Sequence, residues 1–193
     1  MDKKLILASK SPRRRGFFDM LGLDYVALSP DVDESADPEL SASEFVMKLA
    51  KSKAMAVDTS DAYVVAADTV VVQDGKILGK PKDKDDAQSM LKSYSGASHE
   101  VITGFAIRHG DKIVCSHSIT RVYFQKLTDE QITSYVNTDE PYDKAGGYGI
   151  QGIAGLFVSR IDGDYNNVVG LPLCPLDTMM WESFGLRLTD FKK

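Results

Sequence analysis

The chain has 193 residues, 43% of them hydrophobic, which is enough for one large domain or two small lobes with a true core. Its 23 basic and 28 acidic side chains give a net charge of −5, which argues against general binding to nucleic acid or to an anionic membrane. No signal peptide or membrane-spanning run is visible, so we expect a soluble, cytoplasmic protein. Cys115 and Cys174 fit no disulfide or metal motif, and we expect both thiols to be buried.

The first half of the chain alternates apolar runs with segments of helical period. Residues 5–8 predict a buried strand, and a serine followed by a proline predicts a helix over 11–22. A capping box opens the helix predicted over 41–57, ahead of an apolar strand at 63–72. An aspartate cap then starts a third helix over 83–95.

In the second half, two long β-rich stretches, 101–108 and 112–125, flank a glycine turn and should pair antiparallel. A second capping box starts a helix over 128–136, and a strand at 156–161 precedes a last helix over 176–184. The sequence therefore predicts an α/β fold, with a mixed parallel and antiparallel sheet and flanking helices.

Asp68 interrupts the apolar run 63–72, so a carboxylate is carried into or beside a core strand. Burying an ionised carboxylate costs several kcal/mol unless a cation, a metal or hydrogen-bond donors compensate it. Asp68 therefore has either a structural partner or a chemical role. Glu34 could share a divalent cation with it, because Mg²⁺ commonly takes one or two protein carboxylates plus substrate phosphates. The alternative for Glu34 is a solvated acidic loop.

Basic residues form the second group of candidates. Ser9, Arg13 and Arg14 lie at a predicted junction of strand and helix, where free N–H groups and the helix dipole favour an anion such as phosphate. The alternative is that the arginines are solvated. Lys53 falls on the apolar face of its predicted helix, and it reaches toward a cleft unless its stem only covers apolar surface. Lys80 lies in a loop shortly after the strand at 63–72.

Several familiar motifs are absent or out of place. The segment 147–152 matches G-x-G-x-x-G but follows a polar loop rather than a strand, so it is not a dinucleotide fingerprint. The chain contains no P-loop and no G-x-S-x-G elbow, and its three histidines lack zinc-ligand spacing. A serine hydrolase or a zinc hydrolase is therefore unsupported.

Seven ordered blocks form a recognisable combination between about residue 5 and about residue 176. They are Leu7-Ala8-Ser9-x-Ser11-Pro12-Arg13-Arg14, Asp33-Glu34, Lys51-x-Lys53-Ala54, Ala67-Asp68-Thr69-Val70-Val71, Gly79-Lys80-Pro81, Asp143-Lys144-Ala145-Gly146-x-Tyr148-Gly149-Ile150-Gln151-Gly152 and Val169-Gly170-Leu171-Pro172. This combination resembles the Maf family of nucleoside triphosphate pyrophosphatases. The resemblance implies one Maf-like domain over residues 1–193, or two lobes around a central cleft, on a fold similar to that of inosine triphosphatases.

The resemblance also implies a reaction, which is hydrolysis of a nucleoside triphosphate to the monophosphate and pyrophosphate with a divalent metal, Mg²⁺ or Mn²⁺. Asp68 matches the family's proton acceptor, and Glu34 with Asp68 would contact the metal. Positions that line the family's active-site cleft are matched by Ser9, Arg13, Arg14, Glu34, Lys53, Lys80 and Gln151.

Three positions point to a subgroup of the family. Arg13, Thr69 and Gln151 match the members that act on dTTP and UTP, and they differ from those that resemble 7-methyl-GTP pyrophosphatases. Gly147, where alanine is common, and Phe17-Phe18, where paired leucines are usual, are departures that do not touch the chemistry.

The resulting hypothesis makes Asp68 the base, puts Lys53, Lys80 and the two arginines on the phosphates, and puts Gln151 on the imide edge of a pyrimidine. Two alternatives stay open: a non-catalytic nucleotide-binding regulator of cell division or septum formation, and a pyrophosphatase that clears damaged purine triphosphates. We expect no stable binding of nucleic acid or membrane, and the family resemblance is compatible with a homodimer.

Overall fold

Helices and strands alternate along the computed structural model, which describes residues 3–35 and 37–193. The strands are β1 (Lys4–Ala8), β2 (Val26–Leu28), β3 (Ala62–Gln73), β4 (Lys76–Leu78), β5 (Ser98–His109), β6 (Lys112–Phe124) and β7 (Val158–Asp162). The helices are α1 (Pro12–Met20), α2 (Ala42–Met55), α3 (Lys84–Tyr94), α4 (Asp129–Val136), α5 (Tyr165–Val169) and α6 (Leu173–Phe184). Short 3-10 helices span Glu140–Asp143, Ala145–Gly147, Ile153–Leu156 and Leu188–Phe191.

One sheet combines the seven strands found in the described part of the chain. Its order is β2-β1-β3-β5-β6-β7, and β4 pairs with β3. β1 lies parallel to both of its neighbours, since Ala8 is in register with Leu28 of β2 and with Ala66 of β3. β4 is antiparallel to β3, and β7 is antiparallel to β6. The predicted mixed sheet with flanking helices is therefore confirmed.

The chain divides into two compact units. The first comprises the chain up to Asp68, Thr103–Ser118 and Gly170–Lys193, and the second comprises Thr69–Ile102 and Ile119–Val169. Three strands, β3, β5 and β6, begin in one unit and end in the other. The single domain expected from the sequence, with or without a cleft between lobes, stays a prediction.

Helix starts follow the capping signals of the sequence. At α2 the Glu44 N–H donates to the Ser41 hydroxyl, and the Glu44 carboxylate accepts the Ser41 N–H, which completes a capping box. Thr128 and Gln131 form the same box at α4, and the Asp83 carboxylate caps α3. At these three helices, side chains next to the start therefore satisfy N–H groups that have no partner within the helix, whereas Ser11 makes no side-chain cap at α1.

Small side chains let α2 lie close to the sheet in the first unit. A Cβ at Gly104 of β5 would lie 2.6 Å from Met47 N and closer still to the Val46 carbonyl group, so the two backbones touch. A buried cluster that includes residues of α2 and of the sheet comprises Ala8, Ala50, Ala54, Val57, Val64, Ala66 and Ala106. This close packing fixes the height of α2 above the strands.

Aromatic side chains fill the core of the second unit. Tyr94, Phe124 and Tyr148 make edge-to-face contacts with one another, and His99 packs among them. His99 is 2% exposed, and its Nε2 hydrogen-bonds the Tyr148 hydroxyl at 2.7 Å. Burial lowers the pKa of His99 to about 4, so the imidazole is neutral near neutral pH.

Some sequence predictions differ from the structure. Cys115 and Cys174 are exposed, so the prediction of buried thiols is wrong; Cys115 lies on an outward position of β6, and Cys174 lies in the first turn of α6. The sequence patterns do not predict β2 and β4, which have three residues each, or α5, because three-residue strands and a single-turn helix are too short to show a hydrophobic period. Within the described ranges, none of the helices has the length and apolar character that crossing a membrane requires.

Candidate active site

The carboxyl end of β1 and the middle of β3, just past the residues that pair with β1, bring polar side chains together in the first unit. Ala8 pairs with Ala66, so Ser9 follows the paired residues by one position and Asp68 follows them by two. The chain passes from β1 to β2 on one side of β1 and then crosses to β3 on the other side. In open α/β sheets, ligands bind outside the carboxyl ends of strands where successive connections diverge in this way.

Lys53 of α2 bridges two carboxylates. Its ammonium lies 2.6 Å from Asp68 Oδ1 and 2.7 Å from Glu34 Oε1. The side chains of Lys53 and Asp68 are 12% and 15% exposed, whereas that of Glu34 is 61% exposed. The inward direction predicted for Lys53 is therefore confirmed, and its charge compensates the carboxylate that β3 carries out of water.

Arg14 ties the start of α1 to a loop that is distant in sequence. Its Nε donates to the Gly170 carbonyl oxygen at 2.8 Å, and its Nη1 donates to the Ser9 hydroxyl at 3.3 Å. The Ser9 hydroxyl also accepts the Ser11 N–H at 3.2 Å. Because Arg14 and Ser9 are both buried, this guanidinium is a fixed positive group, and the alternative of a solvated side chain fails for Arg14.

The charged side chains of this region act on one another. Burial lowers the pKa of Arg14, and the positive charge of Arg13 lowers it further. The carboxylates of Asp68 and Glu34 act in the opposite direction and raise it. α1 begins at Pro12, as predicted, and carries no acidic side chain in its first turn. The amino end of α1 therefore combines its own positive dipole with two guanidinium groups, an arrangement that favours an anionic ligand.

The remaining three predicted site residues lie in the second unit. Thr69 is half-buried on β3, whereas Lys80 and Gln151 are exposed side chains on two loops. The Lys80 loop is joined to the 3-10 helix that precedes the Gln151 loop, because the Gly146 N–H donates to the Gly79 carbonyl oxygen at 2.8 Å. The second unit therefore carries a lysine and an amide side chain that stay predicted site residues.

Glu34 and Asp68 are the residues that could hold a divalent cation. Both touch one ammonium group, so their carboxylates are close enough to share a single cation. Carboxylate oxygens suit Mg²⁺ and Mn²⁺. Within residues 3–35 and 37–193, no group of three or more His, Cys, Asp or Glu side chains is arranged to hold a metal ion. The pair thus fits a cation that takes its other ligands from phosphate and water.

Six of the predicted site residues meet in the first unit. They are Ser9, Arg13, Arg14, Glu34, Lys53 and Asp68. Their chemical roles, and those of Thr69, Lys80 and Gln151, stay predictions. Gly170, whose carbonyl oxygen accepts from Arg14, has no side chain that could mark it in the sequence, although it lies in the block at 169–172.

Basic groups fixed at the carboxyl ends of parallel strands are typical of α/β proteins that bind phosphorylated ligands. The pattern of the family described as Maf-like protein matches residues 4–183 of the sequence. The chain belongs to this family.

Curated relatives align with nearly the whole chain. A protein of Alkaliphilus oremlandii named dTTP/UTP pyrophosphatase is 48% identical over 191 residues, which cover 96% of this chain and 99% of the relative. A Pyrococcus furiosus protein of the same name is 49% identical over 173 residues, which cover 89% and 90%. The structure of the Staphylococcus aureus Ham1 protein matches with a TM-score of 0.43 at 14% identity, over 63% of this chain and 72% of that one.

Proposed function

We propose that this protein hydrolyses dTTP and UTP, or modified pyrimidine triphosphates, to the monophosphate and pyrophosphate. The observation that carries the proposal is Asp68, a carboxylate held in the middle of β3, two residues past its last pair with β1, within the electrostatic reach of Arg14 and Lys53. The substrate choice is supported by curated relatives that are 44% to 49% identical and bear the name dTTP/UTP pyrophosphatase.

In the proposed reaction, Asp68 takes a proton from a water molecule while the water oxygen attacks the α-phosphorus. The bond between the α-phosphorus and the oxygen that bridges it to the β-phosphorus breaks, and pyrophosphate leaves with the electron pair. Arg13, Arg14 and Lys80 neutralise the charge that develops on the phosphate oxygens. Ser9, whose hydroxyl Arg14 holds in place, offers a further polar contact to the phosphates.

Lys53 has two successive roles in this proposal. Without a nucleotide, its ammonium forms ion pairs with both Asp68 and Glu34. A triphosphate brings several negative charges, and the flexible lysine side chain turns toward them, which leaves Asp68 ready to accept a proton. When bound, a divalent cation at Glu34 and Asp68 would draw charge from the phosphate oxygens.

Recognition of the base is assigned to the second unit. The Gln151 side chain can both donate to and accept from the imide edge of uracil or thymine, which purines do not present in the same shape. Ile153, two residues further on, is 46% exposed and offers apolar surface to the ring. Thr69 offers a hydroxyl group as a further polar contact to the substrate. Because the substrates are free nucleotides, the proposal needs neither nucleic acid nor a membrane as a partner, and the cytoplasm is the expected compartment.

A substrate panel tests the proposal. Pyrophosphate release is measured for each common, deaminated and methylated nucleoside triphosphate in the presence of Mg²⁺ or Mn²⁺, and we expect dTTP and UTP to have the highest kcat/KM. Absence of release from every triphosphate would contradict the proposal and favour a nucleotide-binding regulator. A preference for inosine or xanthosine triphosphate would favour a pyrophosphatase for damaged purine nucleotides.

A further inference from the structure

Glu140 anchors the end of the glycine-rich loop of the second unit, residues 147–152. Its carboxylate accepts the Ile153 N–H at 2.8 Å and the Ala154 N–H at 3.3 Å. These N–H groups open the 3-10 helix Ile153–Leu156, which starts two residues after Gln151. A carboxylate that accepts two backbone N–H groups makes charge-assisted hydrogen bonds, which are stronger than neutral ones.

The loop lies so close to Glu140 that a side chain at the nearest point would displace the carboxylate. A Cβ at Gly152 would overlap all three atoms of the Glu140 carboxylate. A Cβ at Gly149 would lie 2.7 Å from Lys144 Cε, and Lys144 Nζ in turn donates to the Glu140 backbone carbonyl at 2.8 Å. The residues on each side of Gln151 are therefore packed directly against Glu140 and Lys144.

Tyr135 completes this arrangement from α4. Its hydroxyl donates to Glu140 Oε1 at 3.1 Å, and its ring is buried against Phe157. Burial raises the pKa of Tyr135, the Glu140 carboxylate raises it further, and a hydrogen bond from the Gly149 backbone opposes the shift. The tyrosine hydroxyl therefore lies between the carboxylate and the backbone just before Gln151.

Gln151 is positioned by its backbone. Its side chain is exposed, and among the described residues none forms a hydrogen bond with it. The place where its amide meets a ligand is therefore set by the residues that anchor the loop on both sides of it. For a hydrogen-bonding group that selects a base, a displacement of about 1 Å is enough to lose most of the interaction.

We propose that Glu140 and Tyr135 are positioning residues for base recognition, because they hold the backbone on both sides of Gln151. This inference rests on the proposed function. It predicts that loss of the Glu140 carboxylate acts through Gln151, and so affects the binding of the pyrimidine more than the chemical step at the phosphates.

A double-mutant cycle on Glu140 and Gln151 tests the inference. We expect Gln151→Ala to raise KM for dTTP about 10-fold or more, Glu140→Ala to raise it by a similar factor, and kcat to change by less than about 3-fold in each. The double variant should have a KM within about 2-fold of that of Gln151→Ala, because the anchor has no further effect once the amide is gone. Tyr135→Phe, which removes only a hydroxyl, should raise KM by about 3-fold.

Controls separate positioning from folding. Glu130→Gln removes an exposed carboxylate of α4 and should leave KM and kcat unchanged. If Glu140→Ala lowers the soluble yield, Glu140→Gln, which keeps one acceptor oxygen in place, should show a smaller rise in KM in the same direction. Effects that multiply in the double variant, or a fall in kcat at unchanged KM, would overturn the inference.

Failure of the proposed function gives a different result. If the wild-type protein releases no pyrophosphate from any triphosphate, the proposed reaction is wrong, and the same cycle is measured by calorimetry as the binding of dTTP. Non-additive weakening by Glu140→Ala and Gln151→Ala would then still support positioning. Additive weakening, or no weakening by Glu140→Ala, would overturn it.

Discussion

Lys53 sets the charge balance of the first unit at the scale of a single residue. Lys51 lies two positions earlier on the same helix and is exposed, whereas Lys53 turns inward to two carboxylates. One ammonium facing two carboxylates leaves the group with a net negative charge, which favours the binding of a further cation. The same lysine can therefore stabilise the fold and leave room for a divalent ion.

Replacement of Lys53 by methionine keeps the length and apolar stem of the side chain and removes its charge. We expect Lys53→Met to lower the free energy of unfolding by about 1–3 kcal/mol, less than for a wholly buried pair, because Asp68 loses its main counter-charge while Glu34 stays in water. Turnover should fall as well, since the phosphates lose a clamp. Urea denaturation and pyrophosphate release measure the two effects.

The control is Lys51→Met on the exposed face of the same helix. Lys51→Met should change the free energy of unfolding by no more than about 0.5 kcal/mol and should leave the turnover unchanged. Equal behaviour of the two variants would contradict the role given to Lys53.

At the scale of elements, the position of α2 depends on Gly104. The Gly104→Ala variant forces a methyl group into the backbone of α2 at Val46, where no flexible side chain can move aside. We expect it to cost about 1–3 kcal/mol or more in the free energy of unfolding, and to shift Lys53, which the same helix carries.

Gly16→Ala is the matched control, because nothing lies within 4 Å of a Cβ there and its helical site should gain about 0.5–1 kcal/mol. Thermal or urea unfolding of both variants decides, and equal stability of the two would contradict the close contact.

Elements with local signals could be predicted from the sequence, and the others could not. The caps at Ser41, Asp83 and Thr128 involve residues three positions apart, so their chemistry is legible before the fold is known. β2 and β4 have three residues each and exist only because a neighbouring strand pairs with them. Short strands of this kind depend on tertiary context and leave no pattern of their own.

The same distinction holds for the site. The sequence indicated an inward Lys53, which the structure confirms, and a phosphate site at Arg14, which stays a prediction. Both rest on local features, helical periodicity and a strand–helix junction. The sequence did not indicate that Lys53 joins Asp68 to Glu34, because the three residues are separated by segments whose path only the fold determines. The contact of Arg14 with Gly170, 156 residues away in sequence, was equally out of reach.

At the scale of the whole molecule, His99 makes stability depend on pH. Its folded pKa is about 4, whereas an unfolded histidine titrates near about 6.5. Above that value both states are neutral. As the pH falls from about 6.5 to about 4, the unfolded chain binds a proton that the folded protein does not, so stability is lost across this window, in total on the order of 3 kcal/mol.

The His99→Gln variant removes that proton uptake and keeps a polar side chain beside Tyr148. We expect its free energy of unfolding to fall less steeply than that of the wild type between pH 6.5 and pH 4. The difference in slope corresponds to the uptake of at most one proton on unfolding. His117→Gln, at an exposed position of β6, is the control and should keep the wild-type slope. Parallel pH profiles of the wild type and His99→Gln would contradict a buried neutral imidazole.

The central claim is that Asp68 is the base in pyrophosphate release from dTTP and UTP, and the most direct test is the turnover of Asp68→Asn. Asparagine preserves the shape of the side chain but cannot accept the proton, so we expect kcat to fall by about 10²- to 10⁴-fold. Binding of a non-hydrolysable α,β-imido analogue of dTTP should persist, and Asp111→Asn, in the exposed turn between β5 and β6, should behave as the wild type. Turnover of Asp68→Asn close to that of the wild type would contradict the claim.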